Sequence, residues 1–207
     1  MKDEATVFVV DDDASVRKGL GRLLRSAGFD AEVFGSAEAL LQQVPRGGPG
    51  CLVLDVHMPG LNGLELQAEL SDRGIHIPII FITGQGDIPM SVKAMKAGAV
   101  DFLPKPFEVD ALLSVVESAI EKDRQMRREQ AELQEIHQCL ERLTPREREV
   151  HDLVIVGMLN KQIAFQLGTA EKTIKVHRGR VMQKMNVRSV AALVHLAAKV
   201  GIQTGAI

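Results

Sequence analysis

Over the first 120 residues, short apolar runs rich in β-branched residues alternate with segments whose apolar positions recur at helical spacing. Thr6–Val10, Cys51–Leu54 and Ile79–Ile82 contain almost no polar residue. That is the pattern of strands covered on both faces rather than half-solvated ones. Ala31–Phe34 and Ala99–Leu103 are weaker runs of the same kind. Between and after them lie amphipathic segments at Ser15–Ser26, Ser36–Val44, Leu64–Leu70, Met90–Ala97 and Val109–Ile120. Parallel strands need a long crossover, usually helical, so five such strand–helix units predict a parallel, doubly wound α/β sheet.

The pattern changes after Ile120. Glu121–Gln130 holds one apolar residue, Met126, and no Gly or Pro, so it reads as an exposed helical connector. A sparse seven-residue column (Leu112, Ala119, Met126, Leu133, Leu140) runs through it and has two readings, a short dimer seam or a plain continuation of the helix before it; the polar partner positions 122, 123, 129 and 130 favour the continuation. From Leu143 onward every segment is helical in pattern. Thr144-Pro145-Arg146-Glu147 opens a helix with a threonine cap, a proline at the first position and a glutamate three residues on. Gly157 stops it. Asn160 is expected to cap a second helix over Lys161–Leu167, Thr169 a third over about Ala170–Met185, and Ser189 a fourth reaching Lys199. Two short helices, a tight turn with Gly and a longer basic helix make a helix-turn-helix signature.

Charge divides the chain at the same place. Residues 1–124 carry 12 Lys and Arg against 19 Asp and Glu, whereas from Gly157 onward the count is 8 against 1. An acidic half followed by a basic half points to two domains with different partners, the second a polyanion. With 45% hydrophobic and 25% charged residues the chain can bury cores, which excludes a disordered polymer. No apolar run approaches the ~20 residues that span a bilayer. The acidic start, Met1-Lys2-Asp3-Glu4, shows no signal peptide, and Cys51 and Cys139 read as unpaired thiols, so a reducing cytoplasm is expected.

Carboxylates gather at the strand ends. Asp11, Asp12 and Asp13 follow the first strand, Asp55 ends the third, Thr83 the fourth, and Lys105 follows the fifth. In an open α/β sheet such positions converge on one crevice. One of the three leading aspartates is expected to cap the helix beginning near Ser15. The rest would repel one another unless a hard divalent cation with oxygen ligands intervened, Mg²⁺ first among candidates. Lys105 offers a point charge for a phosphoryl group and Thr83 a hydroxyl donor. Phosphoryl transfer to a carboxylate fits this set.

Val9-Val10-Asp11-Asp12-Asp13, Val53-Leu54-Asp55-Val56-His57-Met58-Pro59-Gly60, Phe81-Ile82-Thr83-Gly84 and Phe102-Leu103-Pro104-Lys105-Pro106-Phe107 resemble the receiver domain of two-component response regulators. The resemblance implies a flavodoxin-like, five-stranded parallel sheet of order 2-1-3-4-5. It makes Asp55 the phosphoacceptor, places Mg²⁺ on Asp11, Asp12, Asp55 and the backbone carbonyl of His57, and assigns Lys105 and Thr83 to the phosphoryl group. Phe102 becomes the aromatic switch, without the hydroxyl often found there, and the Lys105–Pro106 bond is expected to be cis. Asp87-Ile88-Pro89-Met90 and Met95-Lys96-Ala97-Gly98-Ala99 look like the dimer-forming segment of the FixJ-like branch, although Met90, Val92 and Met95 also fit a core.

Laid out at 100° per residue, the third carboxyl-terminal helix places Ile174, Val181 and Met185 on one side. Lys172, Lys175, Val176, Gly179 and Gln183 lie opposite, with Arg180 and Lys184 flanking them and Arg178 nearer the buried rim. Gly179 has two readings, close approach to DNA or drift at an exposed site. Without interleaved aromatics the face suits a duplex major groove better than a single strand. Leu143–Val150, Asn160–Ala164 and Thr173–Arg178 resemble the LuxR-type helix-turn-helix of NarL/FixJ regulators. The implied DNA-binding set is Lys172, Thr173, Lys175, Val176, Gly179, Arg180 and Lys184, with Lys175 and Val176 at base-contact positions.

Together these resemblances imply a receiver over 1–121, a helical linker over 122–142 and a DNA-binding domain over 143–207. The expected protein is a transcriptional response regulator and not an enzyme. A sensor histidine kinase would phosphorylate Asp55, promoter DNA would be the target, and a homodimer would form on phosphorylation, with no membrane partner. Two alternatives stay open: a phosphorylation-independent regulator whose receiver is a dimerisation scaffold, and an aspartyl-phosphate phosphatase. The second lacks the usual acid two residues after the nucleophile, where His57 stands.

Overall fold

The computed structural model describes residues 5–43, 48–84 and 88–203. The chain divides into two compact units, Met1–Arg127 and Arg128–Ile207. In the first, strands β1 (Thr6–Val10), β2 (Asp30–Phe34), β3 (Gly50–Asp55), β4 (Ile79–Thr83) and β5 (Asp101–Pro104) alternate with α1 (Ala14–Ser26), α2 (Ala37–Gln42), α3 (Gly63–Asp72), α4 (Ile88–Lys96) and the start of α5 (Val109–Glu141). All four strand pairs are parallel, in the order β2-β1-β3-β4-β5. The expected sheet is therefore present.

The apolar runs sit where their composition requires. β3 and β4 are buried at every residue, because helices cover both faces of the sheet. Phe8, Leu52, Leu54 and Phe81 build one core, while Val7, Val9, Val53, Ile80 and Ile82 build the other with Leu24, Leu112 and Val116. Cys51, fully buried, has its thiol pushed up to about 12, first by burial and then by the charge of Asp123.

Several boundaries differ from expectation by one or two residues, among them those of the last strand and the second helix. The last strand begins at Asp101 rather than Ala99. The Ala99 amide is used instead to close α4, donating to Ala94 O at 3.1 Å after Gly98 turns the chain with φ +95°. The second helix ends at Gln42, and Val44 lies outside the described residues, as does Asp87 of the Asp87–Met90 segment.

The 122–142 stretch is helical to Glu141, as part of the 33-residue α5, but it is not simply an exposed connector. Asp123 is 1% exposed in the first unit, where its carboxylate accepts from the Gly50 amide at 2.9 Å and from Arg127 Nε at 2.6 Å. Ile136 and Leu140 are buried in the core of the second unit. The seven-residue column is thus consumed from both ends: Leu112 and Ala119 belong to the first core and Leu140 to the second, so only Met126 and Leu133 are left for a seam.

The second unit contains α6 (Pro145–Ile155), α7 (Asn160–Gln166), α8 (Glu171–Lys184) and α9 (Val190–Lys199) around Val150, Ile155, Ile163, Ile174, Val181 and Leu193. Thr144 caps α6 and Ser189 caps α9 as expected. Asn160 and Thr169 do not cap. Leu159 precedes α7, leaving Asn160 as its first residue, with its side chain engaged by Arg178. At the next junction Gly168 turns with φ +61° and sends the Thr169 amide back to Ala164 O at 3.0 Å. The capping position therefore falls on Ala170, which has no side-chain acceptor.

Candidate functional site

The carboxyl ends of β1, β3 and β5 bring four charged groups together. β1 delivers Asp11 and Asp12, and the next residue, Asp13, caps α1 by accepting from Ser15 N at 2.7 Å and Val16 N at 3.3 Å. Those two amides hold the Asp13 carboxyl below the usual range. With the cap filled by Asp13, Asp11 and Asp12 are available to the crevice. Asp11, Asp12 and Asp55 each offer an oxygen, all within 4.8 Å of one another. Asp11 is 0% and Asp55 6% exposed, whereas Asp12 lies open to solvent.

Lys105 enters from the turn just after β5, and the peptide bond that joins it to Pro106 is cis. Its Nζ lies 2.7 Å from Asp11 Oδ2 and 3.4 Å from Asp55 Oδ1. Burial works against the ammonium, but the hydrogen bond to Asp11 and the charges of Asp55 and Asp11 outweigh it, holding the lysine above its usual range. Asp55 is displaced upward, chiefly by burial and further by Asp11 and Asp12, with Lys105 opposing. A buried carboxylate flanked by two acids and one ammonium has the chemistry for nucleophilic attack on an anionic group that the cation would neutralise. Three hard oxygen donors at this spacing also fit a small divalent cation.

The remaining sequence-stipulated residues fall around this cluster. Thr83 ends β4, is fully buried, and its carbonyl accepts from the Lys105 amide at 2.6 Å. Phe102 on β5 is half-buried, with its ring 6.5 Å from that of Phe81. His57 exposes its side chain. Two participants had no signal in the motifs. Arg17 donates to the Asp11 carbonyl at 2.7 Å, bracing the acid from α1. Gly63 opens α3 so close to β3 that a Cβ there would stand 2.4 Å from Asp55 O.

In the second unit Lys172, Thr173, Lys175, Val176, Gly179 and Arg180 are all exposed on α8, Val176 to 48%. Opposite them Ile174 and Val181 are fully buried. Lys184 is placed differently: its Nζ reaches Glu147 Oε2 at 2.6 Å and the Arg142 carbonyl at 2.9 Å. Glu147 also accepts from the Thr144 amide at 2.9 Å, completing the capping box at the start of α6.

The Lys184 contact, followed by the Thr144 amide, draws the Glu147 carboxyl from near 4.5 down to about 2. A depressed acid contributes stability that is complete above its unfolded value and lost as pH falls through its folded one. The melting temperature of the second unit, followed by amide signals of α8, is accordingly expected to fall as pH is lowered from about 5 toward 2. Lys184→Met should flatten that slope, and an unchanged slope would show that another acid carries it.

Residues 7–117 match the response regulator receiver domain family, and residues 141–197 match the luxR family of bacterial regulatory proteins. Nodulation protein W of Bradyrhizobium diazoefficiens is 51% identical over 199 residues, spanning 96% of this chain and 88% of that protein. Transcriptional regulatory protein FixJ of the same organism is 43% identical over 202 residues, 98% of each chain. The solved structure of response regulator StyR superposes with a TM-score of 0.88 at 53% identity, covering 95% of this chain and 99% of that one. No helix among the described residues is long and apolar enough to cross a membrane.

Proposed function

The chain belongs to the NarL/FixJ family of two-component response regulators, DNA-binding transcriptional regulators rather than enzymes, and we propose that phosphorylation of Asp55 switches its grip on promoter DNA. The receiver extends over residues 1–121, the linker over 122–142 and the DNA-binding domain over 143–207. The observation that carries the reading is the position of Lys105 Nζ, 2.7 Å from Asp11 and 3.4 Å from Asp55, in a crevice lined by three converging carboxylates.

In the transfer, an Asp55 oxygen attacks the phosphorus of a phosphohistidine on the sensor kinase. A P–O bond forms, the P–N bond breaks, and the imidazole leaves with the electron pair. Lys105 follows the charge from the carboxylates to the phosphoryl oxygens, and the Thr83 hydroxyl donates to one of them. Asp11, Asp12, Asp55 and the His57 carbonyl would hold Mg²⁺, which when bound supplies charge neutralisation for the transferred group. Movement of Thr83 at the end of β4 frees the volume into which Phe102 packs, and the receiver passes to a state present before phosphorylation as a minor population.

That state pairs two receivers. α4 supports this role, because its outer surface exposes Val92 to 47% and Met95 to 44% beside Lys93 and Lys96. Pairing would set two α8 helices on adjacent half-sites, where Lys175 and Val176 reach base edges, Gly179 allows close approach, and Lys172, Thr173 and Arg180 meet phosphates. Cytoplasmic placement follows from a kinase and DNA as partners. Sizing the full chain with and without beryllofluoride and Mg²⁺, then with duplex DNA, tests the reading. The expected result is a monomer-to-dimer shift and at least about tenfold tighter DNA binding. Equal size and equal affinity in both states would leave the receiver as a passive scaffold.

A further inference from the structure

α8 carries five lysines and arginines, and they are not equivalent. Lys172, Lys175 and Arg180 are exposed with Thr173, Val176 and Gly179. Lys184 is turned back onto Glu147. Arg178, in the middle of the helix, is turned back as well: its Nη1 donates to Asn160 Oδ1 at 2.9 Å, and both residues are half-buried. Asn160 is the first residue of α7, so this contact joins the two helices of the helix-turn-helix to each other.

α7 and α8 also meet through apolar packing and through the short turn that joins them. Ile163 and Ala164 pack on the apolar side that includes Ile174 and Val181, and apolar contacts carry little directional preference. The turn between them is short, with Gly168 in the left-handed region and the Thr169 amide on Ala164 O. A charged donor on a neutral amide oxygen is directional and stronger than a neutral pair. It also occupies the side chain of Asn160, a residue type that favours capping.

We propose that Arg178 is a positioning residue for sequence readout: its guanidinium, held on Asn160, fixes the angle at which α8 presents Lys175 and Val176, and it does not contact the DNA. This rests on the DNA-binding reading above. The pair acts on discrimination between sequences, because a misaligned helix still meets phosphates but no longer meets base edges.

The test compares two labelled duplexes by anisotropy with the full chain. One is enriched by the beryllofluoride-treated wild type from a randomised pool, and the other is of mixed sequence. Arg178→Ala, Arg178→Met (which keeps the apolar stem should alanine unfold the unit) and Asn160→Ala are each expected to bind the enriched duplex about tenfold more weakly, the size of one charge-assisted hydrogen bond. Mixed-sequence affinity and the salt slope should stay at wild-type values, and the double variant should lose no more than either single one. Weaker binding to both duplexes, with a salt slope reduced by about one, would make Arg178 a phosphate contact and overturn the proposal. Additive losses in the double variant, or no loss in any, would overturn it too. Failure of the wild type to bind either duplex would instead remove the DNA-binding reading, and Lys175→Ala, expected to weaken enriched binding, separates that case.

Discussion

An Asp55→Asn chain is expected to take up no phosphoryl group from acetyl phosphate in Mg²⁺, against stoichiometric labelling of the wild type. The amide cannot act as the attacking oxygen, and loss of a nucleophile costs on the order of 10³-fold or more. The same change removes a carboxylate whose charged form is disfavoured by burial and by Asp11 and Asp12. Folding stability at neutral pH should therefore be equal or higher, even though the 3.4 Å contact with Lys105 is weakened. Phosphate incorporation by radiolabel or intact mass, beside a thermal melt, separates the two effects. Labelling at the wild-type rate would move the nucleophile to Asp11 or Asp12. A fall in stability with labelling lost would mean that Lys105 anchors the empty crevice more than the repulsion loosens it.

Gly63→Ala is expected to be the most damaging single methyl in the receiver. The added Cβ would stand 2.4 Å from the Asp55 carbonyl, 3.1 Å from the Phe81 ring and 3.1 Å from Val56 Cα. Two of those are backbone atoms, of Asp55 at the end of β3 and of Val56 just after it, so α3 must retreat from that strand end. Such overpacking costs about 3 kcal/mol, or a fall of roughly 10 °C in the melting temperature of a unit this size. Gly179→Ala is the matched control, since nothing lies within 4 Å of a Cβ there. It should raise stability by about 1 kcal/mol through helix propensity. Equal melting temperatures for the two variants would show that α3 can shift without cost.

What could be read from the chain and what could not divide along the range of the interactions. The parallel sheet was legible because continuous apolar runs such as Ile79–Ile82 leave few other ways to satisfy a strand covered on both faces. Asp11, Asp55 and Lys105 were legible as members of one edge, since strand ends in this architecture converge. Which of three adjacent aspartates caps α1 was open, because the answer depends on backbone geometry at one residue; it is Asp13. The caps assigned to Asn160 and Thr169 failed for a similar reason. Each residue type suits a cap, but Arg178, 18 positions away, engages Asn160, and the turn at Gly168 redirects the Thr169 amide. The seven-residue column through α5 was real in the sequence, yet its ends are spent on two cores. Lys184 looked like a phosphate contact by its angle on the helix, and nothing local announced Glu147, 37 positions earlier, as its partner.

The tie between Lys105 and Asp11 joins groups 94 positions apart. Asp11, Asp12 and Asp55 are all made before the segment that brings the ammonium to them, and β5 adds to the sheet through β4. A nascent chain can thus hold every acid of the crevice and still lack the ammonium that meets them. On the proposed reading, a copy halted before β5 lacks the cation that would receive the phosphoryl group.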